Sequence, residues 1–191
     1  MRKFTMLAVA GVLAGGLAWA QKTALSPRRP TPVIQSLSPA DSPIPLATGV
    51  SGLTATPATL QFTANNPGSA VAGNSSATVK WTATGGTKGN TWTLSVYANS
   101  TTFTGCTTVH DSAVGVTCSS ASVTGTGATA TCQSGGPFTL PTTPGQQVAS
   151  GNEGNTSSHT FTVVLSYQFT DSWEYIANTC PLTITYAVTA P

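Results

Sequence analysis

The sequence predicts an all-β protein, a single antiparallel β-sandwich of roughly seven to nine short strands that follows a leader and a proline-rich stretch. Three observations predict it. Apolar residues alternate with polar ones in run after run, and successive side chains of a strand point to opposite faces of its sheet. Clusters of Gly, Asn, Ser and Pro punctuate those runs. No stretch repeats apolar residues at the three- and four-residue spacing of a packed helix, while the β-branched residues Thr and Val are abundant.

The N-terminus reads as a secretory signal over residues 1–20. Arg2 and Lys3 precede an apolar run from Met6 to Leu17, and Ala18-Trp19-Ala20 supplies the small-x-small pattern for cleavage before Gln21. The run is short for a bilayer span, so no membrane insertion is expected once it is removed. Residues 21–50 hold Pro27, Pro30, Pro32, Pro39, Pro43 and Pro45 with few large apolar side chains. Proline fixes φ and removes a donor, which predicts a disordered linker. A sharper reading makes it a spacer or a strand donated to a neighbouring subunit. Val33, Ile34 and Leu37 give that reading little alternation to stand on.

Residues 51–191 are expected to form the sandwich, a size that suits one core. Leu60, Phe62 and Ala64 alternate, then Asn65-Asn66-Pro67-Gly68 turns the chain. Ala77, Val79, Trp81 and Ala83 share a face, as do Trp92, Leu94, Val96 and Ala98, and the Gly85–Asn90 stretch between them suits a hairpin. Phe103 opens a short strand. Val114, Val116 and Cys118 share a face, with Gly127–Cys132 returning. Phe138–Leu140 and Gln146–Ala149 are weaker patterns, interrupted by Pro141 and Pro144. The clearest strands close the chain. Phe161, Val163, Leu165, Tyr167 and Phe169 line one face of the first, and Leu182, Ile184, Tyr186 and Val188 one face of the second.

Four cysteines, Cys106, Cys118, Cys132 and Cys180, remain after the leader. An even number in an exported chain predicts two disulfides. A metal site would want Cys-x-x-Cys spacing or a histidine motif, and neither His110 nor His159 lies in one. Cys118 and Cys132 flank the glycines of a plausible hairpin tip and can lie opposite each other, leaving Cys106 for Cys180. Pairing of Cys106 with Cys118 across the Asp111-Ser112 turn is the alternative.

Cleavage after Ala20 leaves five basic residues (Lys22, Arg28, Arg29, Lys80, Lys88) against five acidic ones (Asp41, Asp111, Glu153, Asp171, Glu174), a net charge of about zero. A nucleic-acid partner would require a basic patch, which the mature chain lacks. Ser, Thr, Asn and Gln must carry solubility, and few charges guard the sheet edges against pairing.

The segments Thr56-Pro57-Ala58-Thr59-Leu60-Gln61-Phe62, Ser76–Trp81 and Thr91–Val96 together resemble bacterial extracellular immunoglobulin-like modules, in particular the BACON-like type that opens on a Pro-x-x-Leu-x-Phe strand. The resemblance covers about a third of the chain, and the cysteine-bearing middle departs from it. It implies an immunoglobulin-like sandwich with surface-display or carbohydrate-associated roles, and it brings no catalytic residues.

The sharpest candidate site lies in the connector before the last strand. There Asp171 and Glu174 accompany Trp173 and Tyr175. Sugars stack on flat rings, and glycoside hydrolysis uses two carboxylates. Residues three apart on an extended segment point to opposite faces, so binding is the less demanding reading, with Tyr97 as a further ring. The bland reading is a solvated connector with a packing tryptophan. The adjacent His110 and Asp111 do not by themselves make a hydrolase triad, and no Gly-x-Ser-x-Gly elbow is present. Asp111, Glu153 and Asp171 are too scattered in sequence for a calcium loop. No cofactor or metal is expected. The expectation is a secreted or cell-surface, non-enzymatic protein with a structural or adhesive role, contacting other surface proteins or glycans. A carbohydrate-binding module is the alternative and an extracellular hydrolase the more distant one.

Overall fold

The alternating runs do become strands, and their apolar stripes meet in one core. The computed structural model describes residues 31–36, 49–62, 68–72, 76–84, 90–154, 158–172 and 179–190. These form β1 (Thr31–Ser36), β2 (Val50–Thr56), β3 (Thr59–Gln61), β4 (Ala70–Ala72), β5 (Ala77–Thr84), β6 (Thr91–Ala98), β7 (Thr102–Phe103) and β8 (Cys106–His110). A 3-10 turn at Asp111–Ala113 leads into β9 (Val114–Thr124), β10 (Thr129–Cys132), β11 (Phe138–Thr139), β12 (Gln147–Asn152), β13 (Ser158–Thr170) and β14 (Thr179–Thr189). The strands outnumber the seven to nine expected. Several, such as β3, β4, β7 and β11, are only two or three residues long.

Two sheets face each other. One runs β10-β12-β6-β14-β1-β3 and the other β11-β9-β13-β5-β2, with β4 also paired to β13. A separate ribbon, β7-β8, sits beside them. Pairing is antiparallel except between β1 and β14, which run parallel. The longest strand, β13, pairs with both β5 and β9. It buries His159, Phe161, Val163, Leu165, Tyr167 and Phe169 and turns Thr160, Thr162, Val164, Ser166 and Gln168 outward. On β14, Leu182, Ile184, Tyr186 and Val188 are buried opposite them.

Aromatic rings lock the two sheets. Trp81 of β5 and Trp92 of β6 belong to different sheets and meet edge to face, centroids 4.9 Å apart. Phe161 stacks on Trp81 at 5.4 Å and meets Trp92 edge-on at 5.1 Å. Such pairs add about 0.5–1.5 kcal/mol each beyond their area burial. Deeper in the core, the Tyr167 hydroxyl donates to the Tyr186 hydroxyl at 3.1 Å. Each phenol thus finds a partner where burial would otherwise leave a polar group stranded.

Both bridges form with Cys106 joined to Cys180 and Cys118 to Cys132. The second does not close a hairpin, however. Cys118 lies on β9 and Cys132 on β10, strands of opposite sheets, so this bridge spans the sandwich. The chain crosses between the sheets at Gly125–Gly127. Gly125 has φ +101°, and a Cβ there would stand 2.6 Å from the His159 ring. The expected hairpin across Gly85–Asn90 is corrected in the same way, because β5 and β6 lie in opposite sheets. An alternating pattern shows that a strand has a buried face but not which sheet it joins.

The expected linker over residues 21–50 also needs correction. Thr31–Ser36 is a strand, paired in register with Thr179–Ile184 on one side and Thr59–Gln61 on the other. Backbone pairing places it, and that leaves little trace in side-chain alternation. Residues 1–30 and 37–48, and with them the leader, lie outside the described residues.

Candidate functional site

The connector after β13 begins at Asp171, which the structure places firmly. Its N–H donates to the Ser69 carbonyl at 3.4 Å, and its own carbonyl accepts from the Gly68 N–H at 2.8 Å. These bonds continue the β4–β13 pairing by one step. Asp171 is only 2% exposed. A carboxylate so enclosed is not presented to a sugar at the surface, which corrects the expectation for this residue in either its binding or its solvated form. Trp173, Glu174 and Tyr175 lie outside the described residues. Tyr97 is 9% exposed on the outer side of β6, opposite Thr185. It therefore offers little ring face to a ligand.

The other candidate groups are dispersed. The Asp111 Oδ1 accepts from the Ser112 N–H at 2.9 Å, and its carbonyl accepts from the Val114 N–H to close the 3-10 turn. His110, its neighbour, is exposed on the β7-β8 ribbon. That ribbon packs through Phe103 on Phe169, centroids 6.0 Å apart. His159 sits ten residues back along β13 from Phe169, about 33 Å at the usual rise of a strand. The two histidines are thus at opposite ends of the sandwich. Glu153 follows β12 at the His159 end, whereas Asp171 follows β13 at the other, so they do not join Asp111 in a calcium site. Among the described residues, no three His, Cys, Asp or Glu side chains come together as metal ligands.

The end that carries Glu153 holds two buried polar groups that the sequence suggested only as metal ligands. Glu153 is 3% exposed, and its N–H donates to the Asn90 carbonyl at 2.8 Å. Its Oε1 is buried with no hydrogen-bond partner among the described residues. His159, in the opposite sheet, is buried with Nδ1 3.1 Å from the Thr124 carbonyl. The parity of β13 was the available signal for His159, since it falls on the same face as Phe161. For Glu153 the signal was weaker: it shares the parity of buried Ala149, but Gly151 between them has no side chain to mark that face.

The outer faces have a different character. On the β13 sheet the Ser119 and Ser166 hydroxyls bond to each other, and Ser76 approaches Ser166 at 3.3 Å. Ser122 and Thr124 donate to the Thr162 and Thr160 carbonyls. Lys80 is the only charged side chain on the outward side of β5, β9 and β13. On the other sheet Thr93 and Thr189 bond through their hydroxyls, beside a shallow groove of about 320 Å³ lined by Thr91, Thr93, Thr189 and Ala190. These surfaces offer hydroxyls and methyls with almost no fixed charge. That chemistry suits broad contact and provides no nucleophile–base pair. No helix among the described residues is long and apolar enough to cross a membrane. No family model matches the chain, and no curated protein matches it.

Proposed function

We propose that this chain is an exported, non-enzymatic module with an immunoglobulin-like sandwich, serving a structural or adhesive role and binding other surface proteins. One observation carries the reading. The outer face of β5, β9 and β13 is a nearly uncharged sheet of cross-bonded Ser and Thr hydroxyls with a single lysine. Such a face can lie against a partner without desolvating ions, the costly step in burying a charged surface. The two disulfides support the compartment, because bridges persist outside the reducing cytosol. The signal pattern of residues 1–20 supports the route.

The test is retention of the labelled mature protein on intact cells that express it. Loss of retention after protease treatment of the cells is expected. Loss after periodate oxidation alone would favour a glycan partner and the carbohydrate-binding alternative, with Trp173→Ala as its check. No retention on untreated cells would refute the adhesive role.

A further inference from the structure

The first strand fills a slot that the rest of the molecule leaves in one sheet. β1 sits inside its sheet, between β14 and β3, and not at an edge. Six residues, Thr31–Ser36, pair in parallel with Thr179–Ile184, and Val33–Gln35 pair antiparallel with Thr59–Gln61. Both partners belong to the body of the domain. Taking β1 away would leave two strand edges facing each other across a gap one strand wide, and unpaired edges of that kind bind any compatible strand. The segment that joins β1 to the body is residues 37–48, which carries Pro39, Pro43 and Pro45. Neither β1, β3 nor β14 contains Asp, Glu, Lys or Arg, and the mature chain is close to neutral, so nothing electrostatic keeps two copies apart.

We infer that Thr31–Ser36 is an exchangeable strand: the slot between β14 and β3 accepts this segment from a second copy of the chain as well as from its own, linking copies into dimers or longer chains. The inference builds on the structural role proposed above and gives it a mode of assembly. It uses ladder hydrogen bonds that the slot offers equally to either source.

The geometry supplies the test. Ser36 pairs at the level of Ile184, which lies opposite Ala98. Val50 pairs with Ala83 in the other sheet, beyond the level at which Trp81 meets Trp92. The seven steps of β6 from Ala98 to Thr91 separate these levels by about 23 Å. Deleting residues 39–46 leaves four residues between Ser36 and Gly49, which reach at most about 18 Å. The shortened chain cannot seat its own strand and is expected to sediment as dimers or larger species. An excess of a synthetic peptide of residues 28–38 should convert them to monomers carrying one peptide each. A shortened chain that stays monomeric overturns the inference. The full mature chain gives an independent reading. On prolonged incubation it should capture the fluorescent peptide 28–38 and not the same peptide bearing Ile34→Pro. Absence of capture also overturns it. If exchange fails while the protein is still retained on cells, the adhesive role stands and the exchange alone is lost.

Discussion

The two disulfides close loops of very different length, which makes their contributions separable. Cys106 and Cys180 are 74 residues apart, and Cys118 and Cys132 are 14 apart. In the chain-entropy account a bridge stabilises by restricting the unfolded chain, which gives about 4.5 kcal/mol for the long loop and about 3.0 kcal/mol for the short one. The double variant Cys106→Ala/Cys180→Ala should therefore lose about 1.5 kcal/mol more than Cys118→Ala/Cys132→Ala. Packing pushes the same way, because Cys180 is fully buried, while Cys132 is only partly covered. Urea unfolding of both variants, followed by tryptophan fluorescence from the Trp81–Trp92 contact, measures the difference directly. An equal or larger loss from the short loop would refute the reasoning. It would mean that the bridge between the sheets acts on the native state, through the span of β9 to β10, more than on the unfolded chain.

Two further outcomes follow from the core. Burial, chiefly, raises Tyr167 well above the usual phenol range and pushes Tyr186 up to about 12. Between pH 10 and 12 the unfolded chain releases protons that the native chain keeps, so stability is intact below pH 10 and falls through that window. Tyr186 alone accounts for about 2–3 kcal/mol by pH 12. The Tyr167→Phe/Tyr186→Phe variant should flatten the alkaline limb of a pH–stability curve and leave stability at neutral pH nearly unchanged; an identical limb in both proteins would show that the pair is not responsible. At Gly151 an added Cβ would fall onto the Thr129 carbonyl and stand 2.7 Å from the Trp92 ring. Gly151→Ala should cost about 3 kcal/mol, the upper end for overpacking, and a thermal midpoint equal to that of the parent would contradict the close approach of β10, β12 and β6.

Much of the fold was legible because burial is written in the parity of the strands. Phe161 through Phe169 and Leu182 through Val188 state which side faces inward, and the structure places them so. Parity is silent on partners. Trp81 and Trp92 look like the two arms of a hairpin but belong to facing sheets, and the same holds for Cys118 and Cys132. The preferred disulfide pairing thus came from a geometry that the molecule does not use. β1 lies in a proline-rich stretch that reads as linker, and its place depends on backbone bonds to residues 148 positions away, Thr31 to Thr179. At the candidate site, a solvated connector is one reading of the sequence around Asp171. Asp171 is buried, and its backbone is paired to Gly68 and Ser69, a hundred residues earlier, which local pattern does not reveal.

The place of β14 also has a consequence in time. The last strand lies in the interior of its sheet, with β6 on one flank and β1 on the other, and Cys180 at its start is half of the long-loop bridge. A chain emerging from its N-terminus, whether from a ribosome or through a membrane, holds β1, β3 and β6 long before it holds the strand that joins them. That sheet stays divided until residues 179–189 arrive, so it cannot close before this strand is made. Loss of Thr185–Thr189 should therefore cost more than an equal loss from a sheet edge, because it removes the pairing of β14 with β6 inside the sheet.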